Sequence, residues 1–334
     1  MYQLPKFSHN TSFSRIAILT SGGDSPGMNP AIRALVRTAH SFDIEVIGIH
    51  RGYSGLLNEE FEPLNSKSVS GLCHRGGTYL KSARCLEFHE PTTRQHAADI
   101  LSKHGIEALI VIGGDGSLTG AHALYQEFSI PVIGLPGTID NDIYGTDDSI
   151  GFDTAVTTAV DGIDKISDTA HSHDRHFLVE VMGRNYGLLA CHVAIAAGAE
   201  MVIVPEHKTD ITDISQQLSQ RRKEGIGSSG IIVVAESGRE GWSYQLSEEM
   251  KQLGEDPRVC VLGHLQRGGK PTAHDRLLAA TLGNCAVHAL LEGQTDVMVG
   301  VTHGVVSTTP LKSVISQKKG LPIELMDLIN ELQH

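Results

Sequence analysis

No apolar stretch in this 334-residue sequence approaches the length needed to cross a bilayer, so no membrane span is expected. The first residues, Met1 to Phe13, are polar and lack an apolar core, so they do not read as a signal peptide. Basic residues are in deficit. The 27 Lys and Arg face 39 Asp and Glu, a formal charge of −12, which argues against nucleic acid as the main partner. Five cysteines (Cys73, Cys85, Cys191, Cys260 and Cys285) are scattered with no C-x-x-C pair and read as reduced thiols of a cytoplasmic protein. In that compartment the triplet Asn10-Thr11-Ser12 has no meaning as a glycan acceptor. There is no fixed-period repeat and no low-complexity linker.

What is present is an ordinary globular balance of 40% hydrophobic and 20% charged residues, with 36 glycines that suit many tight strand-to-helix turns. The length allows two lobes, each with its own core. Apolar runs at Ile16–Leu19, Glu45–Ile49, Ala108–Ile112, Val132–Leu135, Phe177–Val181, Met201–Val204, Ile231–Ala235 and Val259–Leu262 read as strands. Helices are expected over Asn29–His40, Thr154–Ile166, Leu188–Ala197 and Thr272–Glu292. Continuous Val/Ile/Leu runs separated by helices indicate parallel strands buried on both faces. The expected fold class is therefore α/β: two doubly wound, Rossmann-like lobes with mostly parallel sheets, and an active site in the cleft between them.

Two segments carry most of the chemistry. Gly113-Gly114-Asp115-Gly116-Ser117 is a glycine-rich turn with one carboxylate at the end of an apolar run. Glycines let a phosphate approach backbone N–H groups, and a carboxylate beside them can hold Mg²⁺. Pro136-Gly137-Thr138-Ile139-Asp140-Asn141-Asp142 follows another apolar run and sets Thr138, Asp140 and Asp142 along one side of an extended segment. The pair suits transfer of a phosphoryl group to a hydroxyl, with Asp140 as base. A third turn, Ser21-Gly22-Gly23-Asp24, follows the first strand and can aim the Gly23 N–H at a phosphate. Two standard templates fail. Gly114, Gly116 and Gly120 miss the dinucleotide spacing by one residue, and Gly263 to Lys270 ends in Pro271 where a P-loop needs Ser or Thr.

These motifs, with Leu19-Thr20-Ser21-Gly22-Gly23-Asp24, Arg75-Gly76-Gly77-Thr78, Ser82-Ala83-Arg84, Glu180-Val181-Met182-Gly183-Arg184 and Leu262-Gly263-His264-Leu265-Gln266-Arg267-Gly268-Gly269, resemble the ATP-dependent 6-phosphofructokinases from about residue 15 to beyond residue 300. The resemblance implies phosphorylation of fructose 6-phosphate by ATP with Mg²⁺ held at Asp115. Gly23, Tyr53, Arg84, Cys85, Gly114, Asp115, Gly116, Ser117 and Gly120 would contact the nucleotide. Asp140 would take the proton from the sugar 1-hydroxyl, Thr138 and Asp142 would support it, and Arg184 would stabilise the transition state. Met182, Gly183, Glu236, His264 and Arg267 would hold the sugar phosphate together with Thr138, Asp140 and Arg184. Arg175 and Arg258 would reach it from a neighbouring subunit of a homotetramer, or at least a dimer. The implied organisation is a polar arm over 1–13, an ATP-binding lobe over 14–151 plus about 266–310, and a sugar-phosphate lobe over 152–265 plus about 311–334.

Single positions refine the reading. A pyrophosphate-dependent branch resembling this family carries Asp at the position of Gly116 and Lys at that of Gly137. Both glycines here point to ATP, because a side chain at either place would crowd the region of the α-phosphate. Lys81 replaces a small residue common in bacterial members. Arg33, Arg37 and Glu200 match the family's inter-subunit effector site, but Ser66, Ser167 and Gly225-Ile226-Gly227-Ser228-Ser229 stand where cations are usual. Weak or absent response to ADP and phosphoenolpyruvate is therefore expected. His171, His173 and His176 flank Arg175 and read as a polar rim, not a metal site. Trp242 and Tyr244 read as surface packing. The alternatives are the pyrophosphate-dependent reaction and a non-catalytic regulatory subunit that binds sugar phosphate.

Overall fold

Along the first strand, Ile16 and Ile18 join one buried cluster and Ala17 and Leu19 another, and all four are fully buried. A strand apolar on both faces must be covered on both faces, and helices between parallel strands supply that cover. In the computed structural model, which describes residues 2–207, 210–224 and 229–332, the elements follow in order: β1 (Arg15–Ser21), α1 (Met28–His40), β2 (Glu45–Ile49), α2 (Gly52–Leu57), β3 (Phe61–Leu64), α3 (Pro91–Lys103), β4 (Ala108–Gly113), α4 (Asp115–Phe128), β5 (Val132–Pro136), α5 (Phe152–Ser172), β6 (His176–Val181), α6 (Leu188–Ala197), β7 (Met201–Ile203), α7 (Ile211–Lys223), β8 (Gly230–Ala235), α8 (Trp242–Gln252), β9 (Arg258–Val261), α9 (Ala273–Glu292), β10 (Val297–Thr302), β11 (Val305–Pro310), α10 (Leu311–Ser316) and α11 (Ile323–Leu332).

The chain divides into two compact units, Met1–Thr154 with Arg267–Lys319, and Ala155–Gln266 with Gly320–His334. The first holds a seven-stranded sheet in the order β11-β10-β5-β4-β1-β2-β3, parallel except for β3 and β11 at its two edges. Helices α1 and α9 pack together on one face, and α2, α3, α4 and α10 cover the other. This unit runs on to Lys319, beyond the expected boundary near residue 310. The reason is α10, whose Leu311 and Val314 join the core formed with Leu118, Ala121 and Leu124 of α4. The N-terminal polar arm is bound to the same unit. Gln3 N–H donates to Gly304 O at 2.9 Å and Val306 N–H to Gln3 O at 3.0 Å, while the Asn10 and Thr11 N–H groups both donate to Leu291 O. The Phe7 ring stacks on His288.

The second unit holds four parallel strands in the order β7-β8-β6-β9. Leu178, Ile232 and Val234 pack with Ile214, Leu218, Leu246 and Met250 of α7 and α8. Helix α6 lies against β7 and β8, and α11 packs on α6. Among the described residues, no helix is long and apolar enough to cross a membrane.

Candidate active site

Three adjacent strands of the first unit end level with one another. Ser21 of β1 is in register with Gly113 of β4, and Gly113 with Pro136 of β5. Neighbouring strands lie about 4.8 Å apart, so the three turns that follow must share one crevice. Strand order reverses between β1 and β4, the position where α/β sheets open to ligands. Sheet topology thus joins segments more than 90 residues apart. Their turns line a pocket of about 340 Å³ that includes Gly22, Gly23, Tyr53, Arg84, Cys85, Gly114–Ser117, Gly120, Thr138, Asp140 and Arg267.

Each wall has a local cause. Asp115 is the first residue of α4, so the helix N-terminus opens into the pocket with its unpaired N–H groups and positive dipole end. A Cβ at Gly113 would collide with Ser117 Oγ and Ser21 O, so only glycine fits between β1 and the first turn of α4. Tyr53 is buried behind this turn. Its hydroxyl donates to Ser117 O at 2.6 Å, its ring stacks on Phe88, and it leans on Gly120. Burial pushes the Tyr53 phenol well above its ordinary range, so it stays neutral. Arg94 grips Glu127 with two nitrogens and also donates to Phe88 O and His89 O, which fixes the outer wall. Two further arginines line the pocket: Arg84, which is exposed, and Arg267, whose Nη1 donates to Asp24 O at 3.1 Å. The Arg267 guanidinium rests against Gly23, where a Cβ would collide with it.

Beyond β5 the side chains alternate as the spacing demands. Ile139, Asn141 and Ile143 are buried, while Thr138 and Asp140 are partly accessible and Asp142 is exposed. Ser149 Oγ donates to Thr138 O at 2.7 Å, and Gly137 bridges to Ile150, which anchors the segment at its base. Asp142 keeps accessible surface, yet crowding in its recess removes enough water to push its carboxyl upward; Asp115 adds to the rise and Lys319 opposes it. Desolvation also raises Asp115, with Lys318 drawing it back. A carboxylate whose proton affinity is raised by burial and by a second carboxylate nearby marks a place that favours a cation.

The second unit repeats the pattern. Val181 of β6 is in register with Ala235 of β8, and Glu180 with Val261 of β9. Met182, Gly183 and Arg184 follow β6, Glu236 follows β8, and His264 lies in the short turn Gly263–Arg267 after β9. Met182 N–H donates to the buried Gln266 side chain at 2.7 Å, and Glu236 N–H to Val181 O at 2.9 Å. Arg184 and His264 are exposed. Arg175 and Arg258 lie at the other end of this sheet, beside the starts of β6 and β9.

A profile of the phosphofructokinase family matches residues 15–290. The chain belongs to the phosphofructokinase family. It is 50% identical over 319 residues to the ATP-dependent 6-phosphofructokinase 2 of Bacteroides thetaiotaomicron, a match covering 95% of this chain and 98% of that protein. It is 49% identical over 315 residues to the ATP-dependent 6-phosphofructokinase 1 of Thermus thermophilus, covering 94% and 98%. Among solved structures it superimposes on phosphofructokinase from Saccharomyces cerevisiae with a TM-score of 0.85 and 35% identity, covering 96% of this chain. It spans about half the length of that yeast chain, 47%.

Several details of this phosphofructokinase differ from what its sequence leads one to expect. Gly116 faces open space, so a side chain there would enter the pocket, but a Cβ at Gly137 points at Ile112 and Met28, 3.0 and 3.1 Å away. Crowding at Gly137 therefore falls on the protein interior and not on a bound phosphate. Gly76 closes against the Gly269 backbone, which leaves no room for a Cβ, so this motif glycine serves packing. His176 is buried on β6 with its imidazole pKa lowered by desolvation; it does not join the exposed His171 and His173 in a rim. Trp242 packs on the core of the second unit under the Arg239 guanidinium, and only Tyr244 is a surface ring. Lys81 is exposed in a left-handed turn that presents its carbonyl to Thr20 Oγ1. Glu200 accepts from Ile231 N–H and has Arg221 and His171 as charged neighbours. Ser229 is described and contacts His171, but Gly225–Ser228 lie outside the described residues. Gly22, inside the first turn motif but given no role there, also lines the pocket, whereas Lys318 and Lys319, which act on Asp115 and Asp142, belong to no motif and carry no local signal.

Proposed function

We infer that this chain moves the γ-phosphoryl group of ATP, as its Mg²⁺ complex, to the 1-hydroxyl of fructose 6-phosphate, giving fructose 1,6-bisphosphate and ADP. The observation that carries the reading is the level ending of β4 and β5, which sets the Asp115 turn beside the Thr138–Asp142 segment. Relatives about half identical over nearly the whole chain bear the ATP-dependent name. Asp140 accepts the hydroxyl proton as the sugar oxygen bonds to the γ-phosphorus and the bond to the β,γ-bridging oxygen breaks; ADP departs with that electron pair. The α4 N-terminus, Arg84 and Gly23 bind the polyphosphate, and Tyr53, Cys85, Gly114, Gly116, Ser117 and Gly120 wall the nucleotide. Asp115, one carboxylate beside phosphate oxygens, suits Mg²⁺, which when bound neutralises charge on the transferred group. Thr138 and Asp142 support Asp140, and Arg184 offsets transition-state charge. Met182, Gly183, Glu236, His264 and Arg267 hold the sugar phosphate.

Arg175 and Arg258 argue for self-association. From Arg175 to Met182 the chain runs seven residues along β6, about 23 Å at about 3.3 Å each. A sugar phosphate held beyond the strand ends is out of reach of these two arginines of the same chain, so a second copy supplies them. We propose a homotetramer, at least a dimer, working in the cytoplasm. We also propose weak or absent control by ADP and phosphoenolpyruvate, since Ser66 and Ser167 bring no cations to an anion site.

The test is product formation from fructose 6-phosphate and Mg²⁺ with ATP and with pyrophosphate in parallel. Turnover with ATP alone is expected. Turnover with pyrophosphate would overturn the donor, and silence with both would favour a regulatory subunit.

A further inference from the structure

Asn141, between the two carboxylates, is buried and has a left-handed backbone with φ of +50°. Asparagine tolerates this region better than most residues, but such a backbone persists only where its surroundings hold it. Four hydrogen bonds do so. Asn141 Nδ2 donates to Asp147 O at 2.9 Å. Lys319 Nζ donates to Asn141 Oδ1 at 3.2 Å, to Thr146 O at 3.0 Å and to Asp147 O at 2.8 Å. An ammonium has three donors, and these three acceptors engage all of them. The far side of the loop is tied to β10, with Asp147 N–H donating to Val301 O at 2.7 Å and Val301 N–H to Thr146 Oγ1 at 3.1 Å. The loop is thereby clamped between β10 and Lys319, and its other end carries Asp140 and Asp142.

We propose that Lys319 is a positioning residue for phosphoryl transfer: its ammonium locks Asn141 in the left-handed conformation and so aims Asp140 and Asp142. Without it, the Asn141 amide and two carbonyls lose their common donor, and the backbone at 141 relaxes toward the right-handed region that non-glycine residues prefer. The peptide planes on either side turn with it, and the Asp140 carboxylate leaves the line of the transferring hydroxyl. A misplacement near 1 Å costs about 10²-fold in rate. Most of the groups that set substrate affinity lie on other segments, so the loss belongs chiefly in kcat and not in KM.

The inference rests on the transfer reading above, and its test separates the two. kcat and KM for both substrates are measured in the full-length chain for wild type, Lys319→Met, Lys319→Arg, Asn141→Ala and the Lys319→Met/Asn141→Ala pair, and amide hydrogen exchange is followed over residues 139–149. Lys319→Met is expected to lose 10- to 100-fold in kcat with each KM within about threefold, and to speed exchange over 140–147 while β4 and β5 stay protected. Lys319→Arg, which keeps the donors, should recover most of the rate. The double variant should fall little below the worse single variant, since both remove one clamp. If Lys319→Met fails to fold, Asn141→Ala and Lys319→Arg carry the same comparison. A kcat for Lys319→Met within threefold of wild type, or full additivity in the double variant, overturns the inference. Inactive wild type would overturn the transfer reading instead.

Discussion

Asp140 follows β5 by four residues and shares its accessible edge with Thr138, whose Oγ1 accepts from the Asp140 N–H at 3.2 Å. A base on a segment held this way acts on an acceptor hydroxyl delivered in line. Asp140→Ser should therefore lower kcat by about 10²–10⁴ and leave fructose 6-phosphate affinity nearly unchanged, by equilibrium binding of the sugar. A near-normal kcat would remove Asp140 from the base role. The donor glycines give a contrasting pair. Gly116→Asp places its side chain in open space, so the fold should hold while the KM for ATP rises at least tenfold. Gly137→Lys drives its Cβ toward Ile112 and Met28, so its first effect should be on stability, about 1–3 kcal/mol by urea unfolding. Equal loss of ATP affinity in both, with stability intact, would revive the crowding argument at Gly137.

Element by element, legibility in the sequence tracks burial. The strands β1, β4, β5, β6 and β8 are buried along nearly their whole length, and each reads as a mostly apolar run rich in Val, Ile and Leu. The edge strands β3 and β11 do not. Pro63 interrupts β3, and β11 is a half-exposed Val-Val-Ser-Thr-Thr-Pro, so neither has the continuous signal, and both become strands by pairing with a neighbour. The start of α4 reads in the sequence as a glycine-rich turn; packing of Leu118, Ala121 and Leu124 makes it helical although Gly116 and Gly120 are poor helix formers. Lys319 lay beyond reading, since it is 178 residues from the Asn141 it holds. So did the junction between α9 and α5. Asp275, fully buried in the first turn of α9, accepts from the N–H groups of Gly151 and Thr154 at 2.8 Å each and from the Thr154 hydroxyl. Burial pushes its carboxyl upward while those donors pull it back. Asp275→Ala strands two buried backbone donors and should cost about 2–5 kcal/mol, seen as a lower urea midpoint with unchanged m-value. Asp275→Asn keeps one acceptor oxygen and should lose less. Equal stability of Asp275→Ala and wild type would mean water replaces the carboxylate at no cost.

At the scale of the whole molecule, the arginines at the wrong end of the second sheet make the sharpest demand. If Arg175 and Arg258 serve a neighbour's sugar phosphate, activity belongs to the assembly and not to the chain, and two defects on different chains should repair each other. Asp140→Ser keeps both arginines but lacks the base. Arg175→Ala/Arg258→Ala keeps the base but offers its partner no arginines. In a hybrid pair, the site built on the second chain has its own Asp140 and receives the first chain's arginines, so it is whole, while the other site lacks both. Random pairing of equal amounts makes half the pairs hybrid with one working site in two, so co-expression of two inactive variants should restore about a quarter of wild-type activity. Mixing the purified variants without subunit exchange should restore nothing, and dilution of wild type should lower specific activity as pairs separate. Co-expressed variants that stay inactive while forming hybrids, detected by two affinity tags, would mean that these arginines act within their own chain or not on the substrate at all. The 23 Å estimate along β6 would then have to be met by some other cation nearer to Met182, and Arg239, three residues beyond Glu236, is the first to replace.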